Sequence, residues 1–260
     1  MSWMSPSDIG FGTRSTLGGW GYGAGMFWRL LCSVGRTFKR FGLVRDQIHF
    51  LGNYSLAIII VSGLFVGFVL GLQSYYALQR YGSSEALGLL VALSLVRELG
   101  PVVTGLLYTG RAGTALTAEI GIMKRDEVLS YMEMTAIDPV QRILAPRFWA
   151  GVIAMPILAA VFSAVGIMGG YIVGVLMIGV DSGAFWSQMQ SGTDVWRDVG
   201  NGIVKSMVFG LAVNFIALLQ GYEALPTPEG VSRATTRTVV VASLTVLGLD
   251  FILTALMFSI

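Results

Sequence analysis

Residues 87–121 read LGLLVALSLVRELGPVVTGLLYTGRAGTALTAEIG. From Leu87 to Tyr108 the stretch is apolar apart from Arg97 and Glu98, and about 20 apolar residues suffice to cross the hydrocarbon core of a bilayer. Each charge at the centre of such a segment costs about 2.5–3.5 kcal/mol on insertion scales, so the two are expected to face a bundle interior or a wet cavity. As sequence neighbours they project about 100° apart on a helix. Each must therefore find its own partner on another helix, or water. Pro101 has no amide hydrogen, and its ring crowds the carbonyl of Arg97 four residues back. A kink beside the charges is expected, with a carbonyl left free to bind something. Beyond Tyr108 the chain becomes small and polar through Arg111, Gly113, Thr114, Thr117 and Glu119, as a span does on leaving the membrane.

The surrounding sequence repeats this apolar character. Of 260 residues, 54% are hydrophobic and only 12% charged, which excludes an ordinary soluble domain. Apolar runs at about 54–78, 87–109, 148–178, 199–219 and 238–258 predict an all-α polytopic membrane protein with five transmembrane helices. Residues 1–25 are Gly- and Ser-rich without the apolar core of a signal peptide, and read as a loose cytoplasmic tail. Over residues 26–52, Phe27, Leu30, Leu31, Val34, Phe38 and Phe41 recur at helical spacing among Arg29, Arg36, Lys39, Arg40 and Arg45. That pattern predicts an amphipathic helix lying in the membrane interface; nucleic-acid binding by these cations is the weaker reading beside five spans. The single Cys32 excludes an internal disulfide, and the single His49, with no ligand cluster beside it, predicts no metal site.

Gly63, Gly67 and Gly71 in the first span and Gly166, Gly170 and Gly174 in the third form ridges at every fourth residue. Such ridges let helices approach closely, and a homodimer seam is one use for them. The over-long third span contains Pro156, and Asp181–Trp196 after it reads as a short interfacial segment. Residues 124–136 predict an amphipathic loop helix carrying Lys124, Arg125, Glu127, Leu129, Met132 and Glu133. Lys and Arg collect before the first span, after the second and after the fourth. The positive-inside rule then puts the N-terminus in the cytoplasm and the C-terminus in the periplasm, in a bacterial inner membrane.

No catalytic constellation stands out. GNGIVKS at 200–206 is not a phosphate loop, because Val204 stands where that loop needs Gly and the segment lies in a span. What remains is intramembrane charge. At about 1.5 Å per residue, Arg97 lies roughly 15 Å, Lys205 roughly 9 Å and Asp250 roughly 12 Å from one membrane face. Arg97, Glu98, Lys205 and Asp250 can thus share one layer with balanced signs, as helix glue or as the lining of a cavity. Leu70, Ser74, Leu78 and Tyr81 recur on one face of the first span and are expected to line the same substrate cavity.

RELGPVV followed by GRAGTALTAEIG, with GVSRATTRTVVVASLTVLGLDFILTALMF near the C-terminus, resembles the MlaE family of permeases, membrane subunits of ABC transporters that move phospholipid across the Gram-negative envelope. The similarity runs from about Ile48 to the C-terminus. The resemblance implies a non-catalytic homodimer serving outer-membrane lipid asymmetry. Its implied partners are a cytoplasmic ABC ATPase that binds the ATP, a small STAS-domain regulator and a periplasmic MCE-domain hexamer; the permease itself has no cofactor. It also implies that the 124–136 helix docks the ATPase, although the EAA motif of many importers is absent. A lipid phosphate would suit Arg97 or Lys205. An ion-coupled secondary transporter and a structural anchor are the alternatives. The first is disfavoured by five spans with no inverted repeat.

Overall fold

The computed structural model describes residues 21–39 and 41–258. Among them all regular structure is helical. Residues 21–32 form α1, Val34–Phe38 α2, Phe41–Gln79 α3, Ser84–Arg125 α4, Val128–Met134 α5, Val140–Met177 α6, Ser182–Gly192 α7, Val195–Glu223 α8 and Pro228–Phe258 α9. Five of these (α3, α4, α6, α8 and α9) are long and apolar enough to cross a membrane. Each expected span is found, within a helix that starts earlier or ends later than its apolar run. The 42 residues of α4 extend about 63 Å at 1.5 Å per residue, twice the ~30 Å hydrocarbon core. Apolarity marks the immersed part of a helix, whereas the helix itself runs on into polar sequence.

Four of the five long helices contain a π-helical turn, at His49–Asn53 in α3, Leu95–Leu99 and Thr109–Gly113 in α4, Val140–Leu144 and Ile172–Met177 in α6, and Val195–Val199 in α8. The turn at Leu95–Leu99 contains both intramembrane charges of the second span and is followed by Gly100 and Pro101.

Both glycine ridges are packed inside one chain, the first of them directly against the backbone of α6. A Cβ on Gly67 would fall 2.1 Å from the carbonyl oxygen of Gly166, and one on Gly71 would fall 3.0 Å from Cα of Gly170. The first ridge is therefore consumed by the α3–α6 contact, while a Cβ on Gly166, Gly170 or Gly174 would meet Leu95, Val91 or Leu87 of α4. The expectation that the ridges also form a seam between copies is corrected, because their glycines are buried within the protomer. Helix α6 is central, packed on α3, α4 and α8, while α9 lies on α8 and α4. The outer face of α9 exposes Val240, Leu244, Phe251 and Leu256.

Three further expectations change. Helix α1 already includes 21–25, placed in the tail by their glycines, because Met26 and Leu30 anchor it in a cluster with Phe148 and Leu218; residues 1–20 lie outside the described residues. The expected 26–52 helix is broken into α1, α2 and the start of α3. The expected 124–136 helix is two pieces: α4 ends at Arg125, Glu127 takes a left-handed φ of 59°, and α5 begins at Val128. Ala136, at φ 58°, makes a second such corner after α5. Left-handed backbone costs a non-glycine residue on the order of 1 kcal/mol, which puts α5 between two defined bends.

Candidate functional site: a charged layer between three spans

Lys205 on α8 is the hub. Its side chain is 0% exposed, and its ammonium donates to Glu98 Oε2 at 2.8 Å, Asp250 Oδ1 at 3.1 Å, Thr254 Oγ1 at 2.7 Å and the carbonyl oxygen of Arg97 at 3.1 Å. That carbonyl is the one Pro101 leaves without an α-helical donor. A sequence defect in α4 thus becomes a ligand for a cation on α8. Thr254 in turn donates to Glu98 Oε2 at 3.1 Å, closing a ring across α4, α8 and α9. A buried ammonium is tolerable only when paired and hydrogen-bonded, and this one is both.

The Arg97 side chain turns away from that ring, as adjacency to Glu98 requires. Its Nε and one terminal nitrogen meet Asp198 Oδ1 at 2.8 and 2.6 Å. Asp198 is 1% exposed, and its other oxygen accepts the Asp194 backbone N–H at 2.9 Å. Buried and open groups alternate: Lys205 and Asp198 are enclosed, while Arg97, Glu98 and Asp250 keep 34%, 37% and 22% of their side-chain surface. Each enclosed ion therefore has a partner that solvent or a ligand can reach. With Asp198 included, two cations face three carboxylates, a formal sum of −1 rather than the balance expected for four groups.

The remaining site candidates fall elsewhere. On α3, Leu70 and Leu78 pack against the main apolar core, Ser74 is buried, and Tyr81 is exposed beyond the helix end. None of the four makes a hydrogen bond or ion pair to the charged layer. At the opposite end, Lys124 donates to the Tyr222 carbonyl at 2.7 Å, Arg125 pairs with Asp126, and Glu133 accepts from the Tyr222 hydroxyl at 3.2 Å. Leu129 is buried in the chain's own core with Val140 and Leu144, and Met132 is half-buried. The exposed apolar ridge of α5 is instead Val128, Tyr131 and Met134. Behind α5, Arg147 grips Glu119 through two nitrogens, and Arg111 donates to the Phe50 carbonyl at 3.0 Å with its guanidinium over the rings of Phe50 and Tyr54.

The family described as Permease MlaE matches residues 44–256, a range that includes every member of the charged layer. The chain belongs to the MlaE permease family. It is 60% identical over 220 residues, covering 85% of this chain and 84% of the relative, to the intermembrane phospholipid transport system permease protein MlaE of Haemophilus influenzae. It is 36% identical to probable ABC transporter permease proteins of Rickettsia typhi and Rickettsia bellii, over 84% and 88% of each chain.

Sequence reasoning on this MlaE permease found Arg97, Glu98, Lys205 and Asp250 but missed Asp198 and Thr254. Both left a signal. Asp198 stands seven residues before Lys205 and Thr254 four after Asp250, spacings that share a helix face. Asp198 precedes the apolar run and so carries no intramembrane signal, and the Thr254 hydroxyl carries no charge to mark it inside a span.

Proposed function

We propose that the chain is the membrane permease of an ABC transporter that moves phospholipid between the inner and outer membranes, sustaining outer-membrane lipid asymmetry. The observation that carries this reading is the family match across residues 44–256, which takes in the whole charged layer; the name of the Haemophilus relative supplies the substrate class. On this reading the permease is a homodimer without cofactor or catalysis of its own. Its partners are a cytoplasmic ATPase that binds ATP, a STAS-domain regulator and a periplasmic MCE-domain hexamer. The positive-inside rule supports a cytoplasmic N-terminus and a periplasmic C-terminus, since Lys124, Arg142, Arg147, Arg233 and Arg237 fall between the second and third and between the fourth and fifth apolar runs.

The geometry supports a division of labour within the layer. Lys205 is saturated and enclosed, so it sets the relative positions of α4, α8 and α9. Arg97 pairs with Asp198 and keeps 34% of its side-chain surface, so of the two cations it is the one that a lipid phosphate can reach for a charge-assisted hydrogen bond. At the periplasmic end of α3, Tyr81 and the partly exposed sides of Leu70 and Leu78 supply the approach, with the buried Ser74 behind them. On the cytoplasmic side, α5 meets the ATPase through Val128, Tyr131 and Met134, with Lys124, Arg125, Glu127 and Glu133 around them; Leu129 and Met132 support α5 from within.

The test is ATP-dependent transfer of fluorescent phospholipid by the permease co-purified with its ATPase in proteoliposomes. Arg97→Ala combined with Asp198→Asn, which leaves no enclosed carboxylate unpaired, removes a charged hydrogen bond of about 1.5–3 kcal/mol, a loss of roughly 10- to 100-fold, with the protein still accumulating. Undiminished transfer would remove Arg97 from the lipid path, and failure of any ATPase to co-purify would remove the transporter reading.

A further inference from the structure

We propose that the cytoplasmic end of the bundle carries a second lipid site, separate from the transport path, which holds the head group of an anionic phospholipid against the segment that follows α5. The site is a cavity of about 460 Å³ whose lining includes Thr37, Lys39, Leu43, Ile137, Asp138 and Arg142.

Three observations point to an anion with an apolar attachment. Lys39 and Arg142 are exposed, and neither side chain has an ion partner among the described residues. The one carboxylate in the wall is already engaged: Asp138 Oδ1 accepts the Val140 N–H at 3.0 Å, and Oδ2 lies 3.7 Å from Arg29. The cavity therefore offers two uncompensated positive charges. Thr37, only 4% exposed, lines the same cavity, and its hydroxyl has no hydrogen-bond partner. A buried hydroxyl without a partner is uncommon in a folded protein, and a phosphate oxygen would satisfy it.

Apolar surface surrounds these polar groups. Leu43 and Ile137 in the wall are exposed, as is Val34 one turn before Thr37 on α2. Interleaved basic and large apolar residues at a helix start are the pattern of a surface lying at the head-group boundary. A free phosphate would use the cations and the hydroxyl but leave the apolar rim in water, whereas a bilayer lipid uses all three. The site lies beyond Ala136, the second left-handed corner, so its occupant braces the loop that carries α5.

The experiment uses the full-length permease with its ATPase, purified in detergent and supplied with phosphatidylglycerol bearing a photoreactive group near the phosphate. Crosslinks are expected in the peptides around Lys39 and Arg142. One cation at a membrane surface strengthens attachment about fivefold, so Lys39→Gln with Arg142→Gln should lower labelling about 25-fold. Thr37→Val should lower it less, and Arg142→Lys, which keeps the charge, should retain most of the labelling that Arg142→Gln loses. Labelling at Arg97 should be unchanged in every variant, which keeps this result independent of the transport site. Three outcomes would overturn the proposal: equal labelling by phosphatidylcholine bearing the same group, displacement of the lipid by an equal concentration of inorganic phosphate, or a double variant that keeps the lipid and loses the ATPase.

Discussion

The α3–α6 seam and the α4–α8–α9 layer solve the same problem, helix adhesion in lipid, by opposite means. In the seam, glycine backbones touch directly, and the atom that would sit 2.1 Å from Gly166 is absent because position 67 has no Cβ. In the layer, one ammonium meets four oxygens drawn from two other helices. Excluded volume has no second solution of similar energy, whereas a set of charges with partly open members can exchange partners for water or for a ligand. The difference divides the bundle into a half built to stay and a half able to rearrange.

Substitutions separate the two halves by size of effect. Gly67→Leu should be the most severe, since a side chain there must displace backbone; loss of accumulated protein in membranes is expected, and a normal level would mean the seam is looser than drawn. Lys205→Ala comes next. It strands Glu98 and Asp250 beside each other, and breaking a buried pair by removing one partner costs on the order of 3–5 kcal/mol. Protein level should fall, and the triple variant Lys205→Met, Glu98→Gln, Asp250→Asn should recover level without recovering lipid transfer. Recovery of both would reduce the layer to adhesive.

Smaller effects probe the open side of the layer and the docking face. Asp198→Asn should match Arg97→Ala in lipid transfer, and the double variant should be no worse than either single one, since coupled residues are not additive. Additive losses would mean that Asp198 acts elsewhere. Tyr131→Asp and Met134→Asp should weaken ATPase co-purification while leaving thermal stability of the permease within about 0.5 kcal/mol, as for other surface changes. Leu129→Asp should instead lower stability, because it buries a charge.

The sequence was legible where its signals are long. Apolar runs mark five spans, and depth counting from their ends brings Arg97, Glu98, Lys205 and Asp250 to one level. Partner choice within a level was not legible. The distance that gives Arg97 to Asp198 depends on the π-helical start of α8, which no apolar count reveals. The glycine ridges were read correctly as close-packing surfaces, but a ridge does not say which helix it meets. The break at Glu127 was hidden because Asp126-Glu127 carries neither glycine nor proline to announce a left-handed corner.

The π-helical turns have a bearing on how this chain tolerates length change. One residue is worth about 100° of rotation about a helix axis, and a π turn inserts one extra residue into an otherwise α-helical run. In α4 the two such turns act as phase shifters. They let a single 42-residue rod aim Arg97 at Asp198 in mid-membrane, Arg111 at Phe50 further along, and Lys124 at Tyr222 near its tip. Deleting one residue between Leu95 and Leu99 would leave a straighter helix of ordinary geometry. Everything downstream would then be dialled round by roughly a quarter turn, and Arg111 and Lys124 would miss their carbonyls together.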